Sequence, residues 1–172
     1  GIEATLELAN SQNAKVIVIA RRIMRYFPEQ GAKGQEADYF KSKIERELIS
    51  RNFDLRYARF ERDKVFNPAK DLPEMGIDPL QGDIVVFAEV VSRYKGKREY
   101  YGIPRHRVQS TIDLRAIRPD SLKILAIETF QAEVTGRNLR QCIESSVERA
   151  VNKLSTDFVD SLVKKLIWER NN

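Results

Sequence analysis

Apolar positions along the chain follow two rhythms, one of strands and one of helices. The run Val16-Ile17-Val18-Ile19-Ala20 is continuous and β-branched, as in a strand buried on both faces. It predicts a strand from Lys15 toward Tyr26, stopped by Pro28, which has no N–H for a ladder. Residues 1–14 offer only Leu6-Glu7-Leu8 and read as a short edge strand or a disordered lead-in. Ala37, Phe40, Ile44 and Leu48 recur at helical spacing, so a helix is predicted over 35–52 with Asn52 as its C-cap. Phe53, Leu55 and Tyr57 against Asp54, Arg56 and Arg59 read as a second strand. Residues 67–82 hold Pro68, Pro73, Pro79, Gly76 and Gly82 and read as a loop with room for one helical turn.

The second half is more regular. Ile84 to Val90 is another buried strand, followed by a polar, basic tip over 95–107. Val108, Ser110, Ile112, Leu114 and Ala116 then alternate with Gln109, Thr111, Asp113 and Arg115, a half-buried strand. Pro119-Asp120-Ser121 is turn chemistry, and a fifth strand runs from Lys123 to about Thr135, where Gly136 ends it. Leu139, Ile143, Val147, Val151, Leu154, Phe158, Leu162 and Leu166 then form one stripe of a helix about thirty residues long, which needs packing on a sheet to hold it. The fold class is therefore α+β: a single mixed sheet of about five strands, one helix after the first strand, and a long amphipathic C-terminal helix packed on the sheet. Residues 15–172 read as a single domain after the 1–14 lead-in.

Composition alters this picture little. The length, 172 residues, with 42% apolar and 32% charged residues, fits one globular domain with a real core. The net charge of +5 (30 Lys and Arg against 25 Asp and Glu) and pI near 9.3 suit an acidic partner. No apolar run approaches the ~20 residues of a membrane span. No leader peptide is legible at Gly1, and a signal peptide or lipid anchor ahead of it stays open.

Three segments carry a resemblance. Met75-Gly76-Ile77 followed by Gly82-Asp83-Ile84-Val85-Val86 looks like a family's lead into a strand. Asp113-Leu114-Arg115-Ala116-Ile117-Arg118-Pro119-Asp120-Ser121-Leu122-Lys123-Ile124-Leu125-Ala126 looks like its strand–turn–strand, and Thr135-Gly136 running into Leu139–Leu166 like its last helix. Together, over Lys15 to Lys165, they resemble bacterial envelope domains with an anticodon-binding-domain-like fold. These are the middle domain of flagellar assembly protein T, the curli secretion lipoprotein, the activator lipoproteins of penicillin-binding proteins, and the N-terminal domain of Tol-Pal protein B. The sequence departs from the pattern in lacking a turn glycine at 119–121 and in having few alanines in the last helix. The resemblance implies a structural or adaptor module, periplasmic or outer-membrane associated, whose partners are proteins of an envelope complex or copies of itself in a ring.

Little catalytic chemistry is in view. A Cys/His metal cluster needs several close ligands, and the chain has one histidine, His106, and one cysteine, Cys142. No metal and no cofactor is expected. His106, beside Arg105 and Arg107, reads as an exposed loop histidine, and Cys142 as a small buried hydrophobe. Gly31, Lys33 and Gly34 could bring backbone N–H groups to an anion at a helix start, although they match no Walker motif and a flexible connector is the plainer reading. The strongest candidate is the basic hairpin: Arg93, Tyr94, Lys95, Lys97, Arg98, Tyr100, Tyr101, Arg105 and Arg107, with Glu99 as its acid. Arginine and tyrosine are enriched at binding hot spots, and the rival view is a solvated tip whose tyrosines cover a sheet edge. The sequence thus reads as a non-catalytic interaction domain of a cell-envelope assembly. The alternative is a nucleic-acid-binding domain using the same basic, tyrosine-containing hairpin.

Overall fold

A computed structural model describes residues 14–28, 38–56, 67–75, 84–153 and 157–172. Five strands form one sheet in the order β2-β1-β3-β4-β5. They are β1 (Lys15–Arg25), β2 (Asp54–Arg56), β3 (Ile84–Tyr100), β4 (Ile103–Ile117) and β5 (Ile124–Gly136). β1 runs parallel to β2 and β3, and β3, β4 and β5 form an antiparallel meander. The helices are α1 (Asp38–Ser50), α2 (Pro68–Glu74), α3 (Leu139–Asn152) and α4 (Asp157–Asn171). The mixed α+β sheet predicted from the pattern is the one found.

The register explains which runs are continuous and which alternate. One sheet face carries Val16, Val18, Ile84, Val86, Ala88, Val90, Ile112, Leu114 and Ala116, all buried in the main core with side chains of α1, α3 and α4. The other face is covered at one end by α2, where Leu72 packs with Ile17, Ile19, Val85 and Ile117. Strand segments sandwiched between both layers are apolar at every position. Beyond the reach of α2 the same strands alternate, and that face turns polar, with Arg21 3.7 Å from Glu89 and Thr129 bonded to Asp113 at 2.6 Å.

α1 buries Phe40, Ile44 and Leu48, one turn apart each. Its end is a Schellman closure: Phe53 N–H bonds to Leu48 O and Asn52 N–H to Ile49 O, with Asn52 at φ 62°. The loop expected over 67–82 contains α2, two turns started by Pro68, whose missing N–H costs nothing at a first helical position. Strand β2 is described over Asp54–Arg56; Tyr57, Arg59 and the lead-in residues 1–13 lie outside the described residues.

The C-terminal stripe packs on the sheet as predicted, but it is shared between two helices. α3 buries Cys142, Ile143, Ser146, Val147, Ala150 and Val151, and its N-terminus is capped by Asn138, whose Oδ1 accepts from Gln141 N–H at 3.0 Å. It closes at Lys153, whose N–H bonds back to Arg149 O and Ala150 O. α4 buries Phe158, Val159, Leu162 and Val163, and Asp160 pairs with Arg51 at the end of α1. Two shorter helices can each follow the twisted sheet, which one straight rod of that length cannot do. α3 is also pinned by a chain of buried hydroxyls. Ser146 donates to Ile143 O at 2.9 Å. Its oxygen therefore accepts from Ser110 at 2.7 Å, and Ser110 accepts from Ser92 at 2.7 Å, since each hydroxyl has one proton to give.

Candidate interaction site at the β3–β4 hairpin

β3 and β4 outrun their neighbours. The last partner of β1 on β3 is Arg25 with Arg93, and the last partner of β5 on β4 is Gly136 with His106. Past those rows, among the described residues, only two strands remain, paired through Arg98 with Arg105, Glu99 with Pro104 and Tyr100 with Ile103. The polar tip expected over 95–107 is thus mostly strand, and its loop is just Tyr101-Gly102. Both turn residues have positive φ, 51° and 77°, as a type I′ hairpin turn demands. A bulge at Lys95-Gly96, two residues facing Arg107 alone, increases the local twist as the arm leaves the sheet.

The bulge and pleat divide the predicted residues between two faces. Arg98, Tyr100 and Arg105 share the face opposite the main core, where the guanidinium carbons of Arg98 and Arg105 each lie 5.6 Å from the Tyr100 ring centroid. Like charges directly across a ladder repel, and the ring's negative face between them returns about 0.5–1 kcal/mol per contact at an exposed site. Arg105 Nε is buried without a hydrogen-bond partner among the described residues. Arg107 is held on the same face by Glu133, at 2.9 and 3.1 Å. Arg93 stands beside Arg25 in the parallel ladder, and Lys95 and Lys97 are exposed.

Tyr94 points the other way. Its hydroxyl meets His106 Nδ1 at 2.8 Å, its ring lies 5.7 Å from that of Phe27, and it packs against Val108, Val134, Cys142 and Ile143. Burial raises its pKa, with the Cys142 thiol adding to the shift, so it stays a neutral phenol. His106 is correspondingly a half-buried strand residue and not the exposed loop histidine expected. The bulge lets two residues twelve apart meet, which no local pattern encodes. Cys142 is buried as expected, its pKa raised by that burial, and a Cβ on Gly136 would sit 2.9 Å from its sulfur. On the same face, burial lowers the pKa of Arg22 against the opposing pull of Glu144.

Tyr101 crowns the hairpin, fully exposed at 103%. A bulky side chain at positive φ is an outlier, and the favoured residue at this turn position is Asn or Asp. A second one was missed by the sequence reading: Tyr26, at φ 68° and 76% exposed, follows Arg25 at the same end of the sheet. Its signal, Arg-Tyr just before Pro28, was absorbed into the strand. The candidate surface on the arm is therefore Arg98, Tyr100, Tyr101 and Arg105, while Arg25, paired with Arg93, and Tyr26 after it stand at the base of the arm. Gly31, Lys33 and Gly34 lie outside the described residues. No group of three or more His, Cys, Asp or Glu placed to hold a metal occurs among the described residues, and no helix among them is long and apolar enough to cross a membrane.

No protein-family model matches the chain, and no curated protein matches it in sequence. Similar solved structures include bacterial proteins. A hypothetical protein from Chlamydia trachomatis is 14% identical, with 87% of this chain and 97% of that one covered and a TM-score of 0.49. A lipoprotein from Neisseria meningitidis is 13% identical over 82% and 97%, TM-score 0.44. A minor lipoprotein from Acinetobacter baumannii is 8% identical over 92% and 95%, TM-score 0.42. At such identities and scores these likenesses say nothing about what this chain binds.

Proposed function

We propose that the chain is a non-catalytic interaction domain that docks a protein partner of a bacterial cell-envelope assembly through its hairpin end. The observation that carries this reading is Tyr101, a fully exposed aromatic held at φ 51° on an arm that leaves the sheet. Strain of this kind costs of order 1–3 kcal/mol and clusters at ligand clamps and switch regions. Folding alone gains nothing from a ring in water, so the ring has its use in contact with something else. Around it, Arg98, Tyr100 and Arg105 offer cations and flat contact area, the chemistry of protein hot spots, and the charge steers acidic partners. The envelope setting, flagellar, secretory or cell-wall associated, comes from the resemblance carried by Met75–Ile77 with Gly82–Val86, by Asp113–Ala126 and by Thr135–Leu166, and belongs to the same proposal, as does a second copy of the chain as the partner.

Replacing Arg98, Tyr100 and Tyr101 together by alanine tests it. The melting temperature should stay nearly unchanged, because surface substitutions act within about ±0.5 kcal/mol, while complementation of a deletion strain should fail. Full complementation by an equally stable variant refutes the docking role. The same arginine–tyrosine surface could stack on bases, and binding to single-stranded nucleic acid whose affinity falls steeply with salt would favour that reading instead.

A further inference from the structure

The opposite end of the β4 strand carries a different surface. β4 spans 15 residues, so its two ends lie about 45–50 Å apart at 3.3 Å per residue. At the far end the β4–β5 turn meets the last turn of α4. Arg118 Nε binds Glu169 Oε2 at 3.0 Å, and Lys123 Nζ lies 3.8 Å from Glu169 Oε1. These contacts bring Trp168 beside the turn, 54% exposed, with Lys165 Nζ 4.4 Å and Lys123 Nζ 5.9 Å from its ring centroid. Leu122 and Ile124, on either side of Lys123, are 44% and 47% exposed. Leu122 has φ 57°, so here too a bulky apolar residue sits in backbone space it ordinarily avoids.

We infer that this end is a contact for an anionic lipid surface. Single exposed apolar residues are ordinary, but here the half-exposed Trp168 lies against Lys165 and Lys123, and the exposed Leu122 and Ile124 flank Lys123 in the chain. Glu169 is paired with Arg118 and Lys123, and the cations Arg118, Lys123, Lys164 and Lys165 outnumber the acids Asp120 and Glu169, which leaves the local balance positive. Tryptophan sits at membrane interfaces because its ring is apolar at one end and wet at the other. Lysine stems run along apolar surface while their ammonium groups reach headgroups. The turn tip and the helix end present the half-exposed Trp168 with lysines beside it, which suits a plane of lipid. The lysines supply the charge complementarity that commits the surface to anionic headgroups.

Trp168 is the chain's one tryptophan, so its fluorescence reports this end and not the hairpin. The full chain is titrated with vesicles of phosphatidylglycerol and, separately, of phosphatidylcholine, with co-sedimentation and emission read together. Binding to the anionic vesicles with a blue shift, quenched by brominated acyl chains and weakened by salt, supports the inference. Leu122→Ser with Ile124→Ser should abolish the shift at unchanged melting temperature, and Lys123→Gln and Lys165→Gln should each weaken binding about fivefold. The Arg98→Ala, Tyr100→Ala, Tyr101→Ala variant should keep the shift, which separates this contact from the hairpin's. Three results overturn it: no co-sedimentation, co-sedimentation with an unshifted emission, or a blue shift without lipid that grows with protein concentration, which would mark a second copy as the occupant.

Discussion

Phe158→Ala probes the joint between α4 and the sheet. Phe158 is 0% exposed and belongs to the main cluster with residues from both sides of the sheet–helix boundary, including Ile112, Leu114, Val147 and Val151. Removing its ring deletes the transfer free energy of the buried carbons and leaves a cavity that the neighbours only partly fill, so the cost should be about 3–5 kcal/mol. In a chain of this length 1 kcal/mol moves Tm by roughly 2–4 °C, so the midpoint should fall by about 6–20 °C. Urea denaturation followed by circular dichroism measures it, and an unchanged m-value would show that stability and not compactness has changed. Trp168→Ala, on the same helix but half-exposed, should cost far less. Equal and small losses for the two variants would refute the packing of α4 described here.

Two further outcomes follow from particular residues. Tyr101→Asn installs the residue a type I′ turn favours, so it should stabilise the fold by some tenths of a kcal/mol to about 1 kcal/mol in thermal melts while weakening partner docking; a destabilised variant would show that the tyrosine is structural. Cys142 and Tyr94 both have raised pKa values in the fold, so the folded state holds protons that the unfolded chain releases. Their contribution is present below the unfolded values of about 8.5 and 10 and is lost as pH rises through the folded ones. Urea midpoints should therefore fall above about pH 8.5, less so for Cys142→Ala; parallel pH profiles would contradict that assignment.

What could be read from the sequence was what local pattern encodes. β1 announced itself by continuous β-branched residues because layers on both faces bury Val16 to Ile19, and the core face of β4 by alternation from Val108 to Ala116. The hairpin arms were hidden because Lys97–Tyr100 and Ile103–His106 bury too little to alternate, and only their pairing with each other makes them strands. The break between α3 and α4 was masked by Leu154, which continues the stripe in register, although Ser155-Thr156-Asp157 is N-cap chemistry. The serine chain from Ser92 through Ser110 to Ser146 joins three elements, and Tyr94 reaches His106 only across a bulge. Such contacts depend on register, which a single strand's sequence does not contain. At the site, composition identified the arginines and tyrosines, but not which face each takes, nor that Tyr26 is exposed at positive φ.

The hairpin tip is proposed to touch a protein partner. A photo-cross-linking phenylalanine derivative placed at Tyr101 in living cells tests it most directly, with the same group at Ile127, 53% exposed on β5, as the comparison. Irradiation should give a discrete protein adduct from position 101 and none from position 127, and the position-101 adduct should disappear when Arg98 and Arg105 are both replaced by alanine. No adduct from position 101, or one with nucleic acid in place of protein, would contradict the account.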